Sequence, residues 1–120
     1  MLDSSVVAKF EFVSEDQFNK DSGGVENFHL QIPRRSTRGS AGYNFYLPYS
    51  IIIEPGEGVT VSTGIRCKMQ EGFVLLIYPR SSMGIKFGLS LANTVGVIDS
   101  DYYGSSNEGH ILNCFSRKGN

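Results

Sequence analysis

Apolar and polar residues alternate with period two along most of the chain, or gather into short β-branched and aromatic runs. Glycine, proline, asparagine or serine interrupts them every several residues. Alternation of this kind sends successive side chains to opposite faces of a strand, so the pattern predicts many short strands. They are expected near Val6 to Val13, Phe28 to Ile32, Tyr43 to Leu47, Ile51 to Ile53, Val59 to Gly64, Phe73 to Tyr78, Leu89 to Leu91, Val95 to Asp99 and His110 to Phe115. Helical signals occupy two spots: Ser14 to Gln17 has the form of a capping box, and Ser81 is placed to cap a turn reaching Lys86. Asp21 to Gly24 reads as a turn or link, and Pro33 to Ser40 as a polar loop carrying Arg34, Arg35 and Arg38. The fold class expected is all-β, an antiparallel double-sheet β-roll.

Length and charge narrow this picture. The 120 residues suit one domain spanning 1–120, and 40% hydrophobic with 19% charged residues is a globular balance. A formal net charge of −1 supplies no field to gather a polyanion, so no nucleic-acid partner is expected. No apolar run has bilayer length and the N-terminus lacks a basic-then-apolar leader, so no membrane partner is expected and the cytoplasm is the expected compartment. Cys67 and Cys114 sit in apolar strand-like runs without metal-type spacing, which predicts buried thiols rather than a disulfide or a zinc site.

Two stretches carry candidate chemistry. In Tyr78-Pro79-Arg80-Ser81-Ser82-Met83-Gly84 a β-run stops at proline and is followed by a cation, two hydroxyls and a glycine. Backbone N–H groups at a helix start attract anions, and Arg80, Ser81 and Ser82 can donate to phosphate oxygens. The plainer reading, a solvated turn with a serine cap, accounts for the same residues. In Asn93 to Gly104 an apolar hairpin-like run ends abruptly in Asp99 and Asp101, with Tyr102 and Tyr103 behind them. Ile98 is expected to face the core and Asp99 the opposite way, leaving its carboxylate free to polarise a water. For Asp101 an Asx-type turn bond is favoured. His29 and His110 have no partner at ligand spacing and read as structural or surface residues, and Ser81 has no base to make it a nucleophile.

Taken together, these two stretches resemble the second and third sequence motifs of the trimeric dUTPase family. Gly39-Ser40-Ala41-Gly42-Tyr43-Asn44-Phe45 resembles its first, with Pro55-Gly56 and Thr63-Gly64-Ile65 in the usual interval. The resemblance implies a jelly-roll-like β-clip assembled as a homotrimer, hydrolysing dUTP to dUMP and pyrophosphate with Mg2+ on the triphosphate, at sites shared between chains. It assigns Asp99 the attacking water and Arg80 and Ser81 the phosphate oxygens. Asn93 and the backbone of Gly96, Val97 and Ile98 would read the uracil edge, and Tyr102 would pack on deoxyribose. For Tyr102 the alternative is packing in a subunit interface. No residue is assigned as a direct metal ligand.

The chain departs from the family at Asn44, where aspartate is usual near the metal and phosphates; the alternative role for Asn44 is a strand-edge hydrogen-bond network. It also ends before the family's later glycine-and-glutamine strand motif and glycine-rich tail, which predicts weak turnover and an uncovered sheet edge, with Ser116 to Asn120 polar and turn-like. Two other functions compete: a nucleotide-binding regulator without chemistry, and a dCTP deaminase relative.

Overall fold

A computed structural model describes residues 6–80, 88–91 and 95–119. Its strands, in chain order, are β1 (Ala8–Phe12), β2 (Gly58–Ser62), β3 (Ile65–Met69), β4 (Val74–Ile77), β5 (Leu89–Leu91), β6 (Gly96–Asp99) and β7 (Leu112–Arg117). All pairings are antiparallel and fall into three small sheets: β1 with β3, β2-β7-β5 with β7 in the centre, and β4 with β6. The expected antiparallel all-β architecture is found, with its ladders cut into short pieces.

Ile65, Cys67, Ile77, Leu91 and Ile111 form the buried cluster. Phe10, Phe45, Leu75, Ile98 and Phe115 pack against it from different sheets. Strand β3 is absent from the sequence expectation, which ended the preceding strand at Gly64. Gly64 instead has a φ of 76° and turns the chain from one sheet into another. The missed signal was the alternation Ile65-Arg66-Cys67-Lys68-Met69, whose apolar members point inward. Pro55-Gly56 behaves as its chemistry dictates: Gly56 has a φ of 83° and the Glu57 N–H donates to the Glu54 carbonyl at 3.0 Å.

Three expected strands do not form ladders. Residues 28–34 and 43–48 run past one another, joined by His29 N–H to the Pro48 carbonyl at 2.8 Å and by an isolated bridge between Arg34 and Asn44. Pro48 has no N–H to return. Ile51 to Ile53 is likewise irregular. At the other end Ser116 and Arg117, expected to be turn-like, extend β7 and pair with Gly58 and Leu89.

The capping box does start a helix, α1 (Glu15–Ser22), with the Ser14 hydroxyl accepting from the Gln17 N–H at 3.1 Å and Gly23 ending it at φ 76°. Its one buried residue, Phe18, sits in an aromatic nest with Phe28, Tyr49 and His110. The turn expected from Ser81 to Lys86 lies outside the described residues.

Candidate functional site

The first-motif segment is a pinned loop. The Asn44 N–H donates to the Arg34 carbonyl at 2.7 Å and receives the Arg34 N–H on its own carbonyl at 3.2 Å. Within the loop so closed, the Ser40 hydroxyl accepts from the Thr37 N–H at 3.1 Å, and Asn44 Nδ2 donates to the Ser36 hydroxyl at 2.7 Å. The Asn44 amide is thereby engaged in a strand-edge network. Arg34, Arg35 and Arg38 are exposed and make no ion pair with a described residue.

Asn44 and Arg80 line one cleft of about 530 Å³. Its walls are mainly aromatic and aliphatic, among them Phe10, Tyr43, Phe45, Leu75, Tyr78 and Phe115, with Thr63 and Asn113 as further polar members. Arg80 is exposed, immediately beyond the end of β4. Ser81, Ser82 and Asn93 lie outside the described residues.

The described third-motif residues do not line this cleft. In the β4–β6 ribbon Val74 faces Asp99 and Ile77 faces Gly96, so the Arg80 turn departs from the Gly96 end. The three-residue offset between these pairs is about 10 Å of strand, and Asp99 does not line the Arg80 cleft. Cross-strand partners share a face. Leu75, Ile77 and Ile98 pack on the core, and Val74, Leu76, Val97 and Asp99 are exposed on the other side. Gly96 lies flat against Ile77, whose Cβ would be 3.3 Å from an added methyl group. The Asp99 carboxylate makes no hydrogen bond or ion pair with a described residue, not even a cap bond to the 3-10 helix η1 (Ser100–Gly104) that it precedes. The Asx-type bond expected of Asp101 is not made either; the 3-10 helix itself turns the chain there.

Within η1 the two tyrosines splay apart. The Tyr103 hydroxyl donates to Glu11 Oε1 at 2.7 Å, and its ring lies 4.5 Å beneath the Arg66 guanidinium, which also pairs with Glu11 at 3.1 Å. The Tyr102 hydroxyl donates to the His110 carbonyl and accepts from Asn107 Nδ2 at 2.9 Å. His110 is fully buried, as the structural reading expected: its Nε2 accepts the Gly64 N–H at 2.9 Å, so the ring proton is on Nδ1, 2.7 Å from Asp21 Oδ2.

A family model described as dUTPase matches residues 29–113. The chain belongs to the dUTPase family. The deoxyuridine 5'-triphosphate nucleotidohydrolase of Lactococcus lactis subsp. lactis (strain IL1403) is 47% identical over 88 residues, covering 72% of this chain and 59% of that protein. The crystal structure of a dUTPase from Streptococcus mutans is 36% identical with a TM-score of 0.70, covering 88% of this chain and 76% of that one. The fold is also that of a mutant dUTPase from phage phi11 of S. aureus, whose structure concerns coordination of a structural Mg(II) ion. That match has a TM-score of 0.71 at 21% identity and covers 96% of this chain and 62% of the other. The chain spans between 41% and 59% of the length of the curated relatives it matches.

The dUTPase span contains Asn44, Arg80, Asp99 and Tyr102, whereas Glu11, Ser14 and Asp21 precede it. Sequence reasoning passed over these three and Glu108, because each acts through a partner far along the chain, and over Ser36 and Asn107, whose nearer partners follow no helical or strand periodicity. Only the capping box pointed to Ser14. Its reciprocal half comes not from Gln17 but from Glu108, which accepts the Ser14 N–H at 2.8 Å and the Ser14 hydroxyl at 2.6 Å. Those bonds hold the Glu108 carboxyl below its usual range, and the Tyr103 hydroxyl does the same for Glu11. Burial opposes the charge on Asp21, but the bonds from Gln17 and His110 outweigh it and its pKa is also lowered. Burial pushes the Cys67 thiol up to about 11. Cys114 departs from expectation in being exposed; both thiols are free. Among the described residues no helix is long and apolar enough to cross a membrane.

Proposed function

We propose that this chain hydrolyses dUTP to dUMP and pyrophosphate, in a homotrimer whose sites combine the Arg80 turn of one protomer with the Asp99 ribbon of another. The observation that carries the reading is the pairing of family membership with an exposed Asp99 carboxylate, unpartnered among the described residues, at the end of β6. Hydrolysis of a phosphoanhydride needs an oriented water and neutralisation of charge rather than a covalent nucleophile. Asp99 would accept a hydrogen bond from that water and take its proton as the water oxygen bonds to the α-phosphorus and the bond to the pyrophosphate oxygen breaks. Arg80, with Ser81 and Ser82, would hold phosphate oxygens. Asn93 and the Gly96 to Ile98 backbone would present the uracil-reading groups, and the Tyr102 ring would pack on deoxyribose.

Magnesium would arrive as part of the substrate, coordinated by triphosphate oxygens and water, and lend charge neutralisation there. Sharing between protomers is supported by the offset between Arg80 and Asp99 and by the apolar outer face of the ribbon, where Val97 is 60% and Leu76 44% exposed.

One experiment tests reaction and sharing together. Pyrophosphate release from Mg-dUTP is measured for the unaltered chain, Asp99→Asn, Arg80→Ala, and the two variants mixed after dissociation and reassembly. Each variant alone should lose about 100-fold or more in kcat/KM, and the mixture should regain a fraction of the original activity at interfaces carrying both native residues. No release by the unaltered chain refutes the reaction, and a mixture no better than its parts refutes the shared site.

A further inference from the structure

We infer that the arm formed by β1 and α1 is a brace that sets the Tyr102 ring, and that Glu108, His110 and Asp21 are positioning residues for discrimination between deoxyribose and ribose. The sugar-selection half rests on the function proposed above.

Three polar contacts tie this arm to the segment that follows Asp99. Glu11 receives the Tyr103 hydroxyl, Ser14 donates twice to Glu108, and Asp21 receives His110 Nδ1, across sequence separations of 92, 94 and 89 residues. All three arm residues precede position 29, where the family match begins, and their partners lie within it.

Two of the contacts, at Glu108 and His110, flank or include the residues that hold the Tyr102 side chain. The Tyr102 hydroxyl spends its proton on the His110 carbonyl and a lone pair on Asn107, which leaves the ring rather than the hydroxyl to meet a ligand. His110 is in turn clamped by the Gly64 N–H and by Asp21. Between Asn107 and His110 the backbone is left-handed twice, at Glu108 with φ 62° and Gly109 with φ 70°. A non-glycine residue holds that conformation when its surroundings over-determine it, and the two bonds from Ser14 to the Glu108 carboxylate do so. Steric exclusion of a 2′-hydroxyl depends on where a ring stands to within a fraction of an ångström, so releasing the brace should relax selectivity before it harms turnover of the deoxy substrate.

The test uses the full chain and its Glu108→Gln, Asp21→Asn and Ser14→Thr variants. Two readouts are taken: kcat/KM for Mg-dUTP against Mg-UTP, and hydrogen exchange of the amides of residues 100–110. Ser14→Thr keeps both donors and should match the unaltered chain. Glu108→Gln and Asp21→Asn should speed exchange across the segment and lower the preference for dUTP over UTP by about 10-fold, through a rise with UTP more than a loss with dUTP. Faster exchange with an unchanged dUTP/UTP ratio would reduce the arm to a structural role and overturn the proposal; unchanged exchange would overturn the brace itself. If the unaltered chain processes neither nucleotide, the function above fails and the selectivity half falls with it, while exchange still decides whether the arm holds the segment.

Discussion

At Gly109 a φ of 70° coincides with close backbone approach: an added Cβ would stand 2.6 Å from the Tyr103 Cα and 2.9 Å from the Tyr102 carbonyl oxygen. The absent side chain lets the 105–110 loop lie on η1, which puts the His110 carbonyl within reach of the Tyr102 hydroxyl. Gly109→Ala should therefore destabilise by about 1–3 kcal/mol from the left-handed conformation alone, with the clash adding to it. The urea midpoint measures this, and an unmoved midpoint would contradict it. Asn44 makes a complementary point. Its place beside the basic loop was legible from the first motif, but its engagement with Ser36 was not, since serine and asparagine eight positions apart carry no helical or strand periodicity.

Among the elements, α1 was the most readable, because a capping box acts over three residues and Phe18 needed only an apolar neighbour. What could not be read was the destination of the helix N-terminus. Ser14 caps Gln17 and also docks on Glu108, so Ser14→Ala removes a cap and an anchor at once. The expected loss is about 0.5–2 kcal/mol for the cap, with Ser14→Thr near neutral; thermal unfolding of the two variants side by side checks it, and equal melting would argue against it. The three strand readings that failed did so in a consistent way. Segments 28–32, 43–47 and 51–53 have strand composition, but a ladder requires a partner offering N–H and C=O groups in register, and β-propensity cannot report whether one is there. Strand β3 shows the converse: no strand was expected over Ile65–Met69, yet it pairs along its length with β1.

For the whole molecule, the carboxylates that join the arm to the η1 segment link folding to pH. Glu11, Asp21 and Glu108 all have pKa values lowered in the folded state, so protonation favours the unfolded chain. Their contribution is present above the ordinary carboxylate range, near pH 4, and is lost as pH falls through the lowered values. Melting temperature should thus drop on acidification below about pH 4, and the drop should be shallower in a Glu11→Gln, Asp21→Asn, Glu108→Gln triple variant. An identical acid limb in that variant would exclude these groups as the cause. The same long-range joins mark the limit of sequence reasoning. Period-two alternation, turn residues and the order of three short motifs sufficed for the fold class, the family and the candidates Arg80, Asp99 and Tyr102, because each signal acts between residues a few positions apart. The apolar cleft holding Asn44 and Arg80, their separation from Asp99, and the ties of Glu108 and His110 to the arm were decided only by the tertiary structure, because burial and hydrogen bonding between residues distant in the chain depend on how the sheets pack and not on any local pattern.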